Sequence, residues 1–234
     1  NLDTSNVTNM GAMFNNCKSL TTLDVSNFDT SKNTNMYYMF SYLTLTEIKG
    51  IENFNTQNVT NMYHTFYLCK NLTNLDVSGF NTSKVTTMGE MFALCENLTS
   101  LNVSKFDTSQ VTDMNAMFYC CYKLTNLDVS NFDTSQVTQM FSGCQGLVDL
   151  DVSNFDTNRV TNMSLMFSSC FELTSLDLSS FDTNSVTNMK AMFKSSTKLA
   201  TIYVGPKWVI KEGTSTEEMF DGCGTSSVTV KTTT

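Results

Sequence analysis

Nucleophilic catalysis on a Ser-His-Asp or Cys-His pattern requires a histidine beside both a nucleophile and an orienting acid. The chain contains one histidine, His64, followed by Thr65 where neighbouring segments carry a methionine. Nothing in the sequence brings a nucleophile and an acid to it, so it is expected to face solvent, and no catalytic residue is expected. Seven of the eight cysteines occupy one slot, three residues after the phenylalanine of a Met-Phe pair: Cys17, Cys69, Cys95, Cys121, Cys144, Cys170 and Cys223. Leu43 and Ser196 take that slot elsewhere. Zinc needs ligands clustered at short spacing, which this interval does not supply, so no metal or other cofactor is expected. A slot open to Cys, Leu or Ser reads as a small core position holding buried free thiols. Disulfides between neighbouring units are the alternative, and Cys120, outside the column, is expected to be more exposed.

Acidic residues form another series. Asp24, Asp76, Asp128, Asp151 and Asp177 recur at one position, interrupted by Lys49, Asn102 and Tyr203. Ser26, Ser78, Ser104, Ser130, Ser153 and Ser179 follow two residues later, which places them on the same face of an extended segment. Stacked units would set like charges close together, a cost unless water, ions or hydrogen bonds intervene. The series reads either as a solvated polar ladder or as a ligand-facing strip. A calcium column is less favoured, because carboxylates alone do not build the oxygen cage calcium takes.

These series exist because the chain is repetitive. Among 234 residues there are 17 Phe and 15 Met beside one Pro and one Trp, the skew left when a few template positions are copied many times. One unit runs Leu98-Thr-Ser-Leu101-Asn-Val103-Ser-Lys-Phe106-Asp-Thr108-Ser-Gln-Val111-Thr112-Asp-Met114-Asn-Ala-Met117-Phe118-Tyr-Cys-Cys121, and Leu124 begins the next. About eight units follow one another at a 26-residue step, except the 23-residue step from Phe132 to Phe155. Leu-x-x-Leu-x-Val alternates inward and outward, predicting strands near Leu20 to Val25, Leu72 to Val77, Leu98 to Val103, Leu124 to Val129, Leu147 to Val152 and Leu173 to Leu178. Val-Thr-x-Met-x-x-Met-Phe-x-x-Cys places apolar residues at i, i+3, i+6, i+7 and i+10, predicting a short helix. The Thr after Val, from Thr8 to Thr187, would cap it. In the short unit the helix, at Val137 to Cys144, should be truncated and the strand kept.

The expected fold is an α/β repeat solenoid, leucine-rich-repeat-like, with one short parallel strand and one short helix per unit. Residues 1–202 form the array with an incomplete first repeat, 203–230 a C-terminal cap, and 231–234 a tail.

Formal net charge is −8, so the surface repels phosphate backbones and no nucleic-acid partner is expected. No apolar run is long enough for a transmembrane segment, and the polar opening, Asn1 to Asn9, is not a signal peptide.

The units resemble leucine-rich repeats, and more closely the Met-Phe-rich BspA-like family of bacterial surface proteins. Leu124-Thr-Asn-Leu127-Asp-Val129-Ser-Asn-Phe132-Asp-Thr134-Ser and Val160-Thr161-Asn-Met163-x-x-Met166-Phe167-x-x-Cys170 carry the resemblance. It implies a curved array, an extracellular or cell-surface location, and adhesion or binding of a protein or glycan ligand, with no catalytic residues. On that basis Asp24, Asp76, Asp128, Asp151, Asp177, Ser78, Ser104, Ser130 and Ser153 are the candidate partner-binding residues. The rival expectation is a structural spacer, or a subunit that self-associates through open ends into an extracellular polymer.

Overall fold

The computed structural model describes residues 2–133 and 138–231. Successive 26-residue units lie one on the next as rungs of a stack, joined by parallel backbone bridges at one equivalent position: Asn9 to Asn35, Asn35 to Asn61, Asn61 to Thr87 and Thr87 to Asp113, then Asn162 to Asn188 and Asn188 to Ser215.

The predicted helix does not form: among the described residues there is no α-helix, only a single 3-10 turn at Ile51–Asn53. The α/β solenoid with a helix in every repeat is therefore incorrect. The reason lies in where the amides point. In Met10 to Cys17, the amides of Met10, Ala12, Phe14 and Asn16 donate to carbonyls of the next rung, while those of Met13, Asn15 and Cys17 close local turns on the carbonyl three residues back. A helix would use all of them locally. The alternation requires left-handed backbone at the third and seventh residues of the segment, at Ala12 and Asn16, Tyr38 and Tyr42, His64 and Leu68, Glu90 and Leu94 and onward. Each such non-glycine residue costs about 1–2 kcal/mol, which the inter-rung bonds offset. Inward positions fall at the first, fourth, fifth and eighth residues of this turn ribbon, the same spacing that an amphipathic helix presents.

The Thr after Val caps no helix. Thr34, Thr60, Thr86 and Thr112 each donate both their amide and their hydroxyl to the carbonyl of the equivalent Thr, or of Thr8, one rung back. The Thr of Asp-Thr-Ser is the more deeply placed. Thr30, Thr56, Thr82, Thr108, Thr157 and Thr183 are buried. The Thr82 hydroxyl accepts from the Asp107 amide at 2.7 Å and donates to the Asp107 carbonyl at 2.9 Å. The same splice joins Thr56 to Asn81 and Thr157 to Asp182.

Strands are also fewer than predicted. One three-stranded parallel sheet forms from β1 (Ser175–Leu178), β2 (Thr201–Val204) and β3 (Thr229–Val230), in that order. Of the six expected strands only that at Leu173 to Leu178 is present, as β1. Elsewhere the inward–outward alternation holds, with Leu75 and Val77 buried and Asp76 exposed, but the ladder does not close. Between the first two rungs the pairing shrinks to a single bridge, Asp24 to Lys49. There Gly50 adopts φ +87°, and a Cβ on it would lie 2.3 Å from the Ser26 amide nitrogen.

In the 23-residue unit Val137 lies outside the described residues. Among its described residues Ser142 turns back onto Gln139 and Cys144 onto Phe141, as the equivalent residues of the preceding rung do. The described part of the shortened segment is thus built of turns, not of a truncated helix.

The core is ordered by stacked aromatics. Phe14, Phe40, Phe66, Phe92, Phe118, Phe141, Phe167, Phe193 and Phe220 form one column with centroids 5.4–6.1 Å apart and planes within 18°, the offset parallel geometry that aromatic rings favour. Phe141 keeps its place despite the deletion. Residues 203–230 continue the pattern through Met219, which is buried, and Phe220, which stacks on Phe193.

Candidate functional site

Each Asp of the predicted strip accepts a hydrogen bond from the backbone amide of the Ser two residues on. The distances are 3.0 Å for Asp24–Ser26, Asp76–Ser78 and Asp177–Ser179, 3.1 Å for Asp128–Ser130 and 2.9 Å for Asp151–Ser153. At Ser78 and Ser130 the hydroxyl also donates to the same carboxylate, at 2.7 and 2.6 Å. These are Asx turns, which bend the chain after each inward Val, or Leu178 in the last. Asn102 performs the same task for Ser104, with 3.2 Å to the amide and 2.8 Å to the hydroxyl. The Asp side chains are exposed, whereas Ser78, Ser104 and Ser130 are half-buried and Ser153 is exposed.

Four of these carboxylates acidify accordingly. Asp24 is lowered to about 2, first by the Ser26 hydroxyl and amide and then by Lys49. Asp177 is lowered to about 2, first by Lys231 and then by Ser179. Asp76 and Asp151 fall below the ordinary carboxylate range through the hydroxyl and amide of Ser78 and Ser153. Two lysines break the run of like charge: Lys49 lies 3.2 Å from Asp24, and Lys231 lies 2.7 Å from Asp177.

The strip is not uniform. Around Leu75 to Val77 and Leu101 to Val103 the backbone makes no hydrogen bond to a neighbouring rung, and a groove of ≈ 450 Å³ opens there, lined by Glu47, Lys49, Glu52, Asn74, Asp76 and Asn102 among others. Asp24 lines a neighbouring recess of ≈ 390 Å³ with Thr22, Thr46 and Lys49. The structure therefore brings Asp76 and Asn102 into one concavity.

These rungs belong to a matched family. Three overlapping segments, residues 1–48, 41–150 and 124–232, match the family described as Mycoplasma protein of unknown function, DUF285. The chain is a DUF285 protein. The match establishes the repeat family and does not extend to the BspA-like one. No curated protein and no solved structure matches the chain.

In this DUF285 chain the cysteine column is as expected in kind. All eight cysteines are free. Cys69, Cys95 and Cys121 are fully buried, and each thiol donates to the carbonyl of Phe40, Phe66 or Phe92 on the rung behind. Ser196 makes the same bond to Phe167 at 2.7 Å, which explains why Ser is accepted there. Burial pushes Cys69, Cys121 and Cys170 up to about 12 and Cys95 and Cys144 well above the ordinary thiol value, so these are inert groups. Cys120 departs from expectation: it is 8% exposed, whereas the half-buried thiols are Cys17 and Cys223. Among the described residues no group of three or more His, Cys, Asp or Glu is placed to hold a metal ion. Among the described residues no helix is long and apolar enough to cross a membrane.

His64 also departs from expectation. It is buried between the rings of Tyr63 and Tyr67, at 3.9 and 4.3 Å and nearly parallel, with Tyr38 edge-on at 4.5 Å and a Glu90 carboxylate oxygen 3.2 Å from Nε2. Seven of the eight tyrosines, Tyr37, Tyr38, Tyr42, Tyr63, Tyr67, Tyr119 and Tyr122, lie in or beside the turn ribbon, away from the Asp series. Tyr37 lies over Gly11, where a Cβ would fall 2.1 Å from the ring. Desolvation raises Tyr38, Tyr63 and Tyr67 above the usual phenol value. Sequence reasoning missed this patch; the signal was the filling of outward ribbon positions by Tyr in only a few rungs.

Proposed function

We propose that the chain is a non-catalytic recognition module that binds a protein or glycan partner, outside the cell or at its surface, through the face bearing the Asp-x-Ser turns. The observation that carries this reading is the groove beside Asp76. There, exposed carboxylates and a lysine surround backbone that is not spent on inter-rung bonds, so polar groups are free for a partner. Asp pre-bound to its Ser holds a fixed orientation, and a fixed polar group loses less entropy on binding than a mobile one. The resemblance to BspA-like surface proteins supports the same class of role.

The test is the triple variant D76N/D128N/D151N, applied to arrays of extracellular-matrix proteins and of glycans beside the parent chain. Asn102 already holds Ser104 as Asp holds Ser elsewhere, so the variant keeps the Asx turns and the fold. Array hits of the parent should weaken in the variant, and the difference should shrink at high salt, where exposed charges are screened. Unchanged low-salt binding by the triple variant, with binding abolished by substitutions on the tyrosine-bearing ribbon, overturns the reading.

A further inference from the structure

At the end of the tyrosine patch lies a recess of ≈ 340 Å³ bounded by Lys18, Tyr42, Leu43, Thr44, Leu68 and Lys70 among others. Its size and character are those of a small-ligand site, with an apolar wall and a few polar groups. Tyr42 and Leu68 occupy left-handed positions of successive ribbons, φ 61° and 60°, which point them outward from rungs locked by backbone bonds. Tyr67 braces Tyr42 edge-on at 5.4 Å, so the ring is held in place before any ligand arrives. Leu43 fills the cysteine slot and is fully buried beneath them.

The polar groups on the rim differ in what engages them. Lys70 is held by Glu96 at 2.7 Å. Lys18 has its ammonium 5.8 Å from the Tyr42 ring centroid and, among the described residues, no carboxylate within ion-pairing distance. The side-chain amide of Asn71 donates to the Thr44 carbonyl at 3.0 Å, which leaves its oxygen free to accept. An unspent cation beside an aromatic face asks for a ligand that is apolar on one side and anionic at one edge.

We propose that this recess binds a ring-shaped carboxylate, with the ring against Tyr42 and Leu68 and the carboxylate on the Lys18 ammonium. A sugar acid at the end of a glycan and an aromatic acid share that chemistry. The site lies apart from the Asp-bearing face, so its failure leaves the recognition reading standing, and the converse holds.

Four probes test it by saturation-transfer NMR and titration: glucuronate against glucose, and benzoate against benzyl alcohol. At low salt at least one acid should bind about five-fold more tightly than its neutral counterpart, the scale of one exposed charge pair, and the gap should narrow in high salt. Lys18→Gln, an exposed substitution that leaves the fold intact, should bring the acid down to its neutral counterpart. Tyr42→Ala should weaken acid and neutral probe alike, by about tenfold. Binding of glucuronate alone identifies the sugar-acid source, of benzoate alone the aromatic source, and of both the shared chemistry. If neither acid exceeds its neutral counterpart, or if Lys18→Gln binds the acid as the parent does, the proposal is wrong.

Discussion

Thr82→Val separates two threonine columns that look identical in sequence. The substitution keeps shape and replaces the hydroxyl by a methyl. At Thr82 it removes both bonds to Asp107, 2.7 Å from the amide and 2.9 Å to the carbonyl, at a residue 2% exposed. The Asp107 amide then loses its partner at a part-buried position. Losing the bonds and stranding that amide costs about 2 kcal/mol in sum, or about 4–8 °C in melting temperature for a chain of this size. Thr86→Val is the control: its hydroxyl donates to the Thr60 carbonyl from an exposed position, and the Thr86 amide keeps its own 2.8 Å bond to that carbonyl. Its cost should stay below about 0.5 kcal/mol. Urea denaturation gives both values, and amide exchange reports whether the loss is confined to the adjoining rungs, as expected when each repeat contacts only its neighbours. If Thr86→Val costs as much as Thr82→Val, the splice does not hold the rungs and the reasoning is refuted.

A thiol reagent added to the native protein should label Cys17 and Cys223 first and leave the buried column and Cys120 untouched, while denaturant should release all eight; rapid native labelling of Cys121 would contradict the burial described. Acid should weaken the fold in a defined window. Asp24 and Asp177 are about 2 in the folded chain against 3.8 unfolded, so the unfolded chain binds more protons between those values. Their contribution is complete above about pH 4 and disappears as pH falls through about 2. The urea midpoint should therefore drop between pH 5 and pH 2.5, and drop less in D24N/D177N; a midpoint that rises on acidification would reverse the sign.

The repeat, its period and the inward residues were legible in the sequence because burial is a property of spacing. Leu75, Val77, Met88, Met91, Phe92 and Cys95 are all buried, as their template positions imply. The secondary structure was not legible, because spacing does not determine where amides go. Inward residues at the first, fourth, fifth and eighth positions suit a helix and equally suit overlapping turns whose alternate amides cross to the next rung. Only backbone handedness distinguishes the two. The residues that tolerate left-handed backbone best, Asn16, Gly143 and Gly222, are diluted by Tyr, Leu, Ala and Glu in the other rungs. The strands failed for a related reason: alternation in Leu-Asp-Val sets which side chains are buried but not whether the backbone pairs with a neighbouring rung, and the same Asx turn follows both β1, where the ladder closes, and the Leu75 segment, where it does not.

The candidate residues divide along the same line. Asp76 and its neighbours were visible as a column, yet the column alone could not show that each carboxylate is already a hydrogen-bond acceptor within its own turn. That internal bond changes what a binding experiment should find. A carboxylate used only for charge is replaceable by Asn at no structural cost, as Asn102 demonstrates in place. A residue needed for the turn is not replaceable by Ala, which accepts nothing. Asp76→Asn should therefore keep the stability of the parent, whereas Asp76→Ala should lose about 1 kcal/mol by freeing the Ser78 amide and hydroxyl, the cost typical of losing such a side-chain cap. Equal stability of the two variants in urea would show that the turn does not depend on its carboxylate. Loss of partner binding in both would then have to come from charge alone.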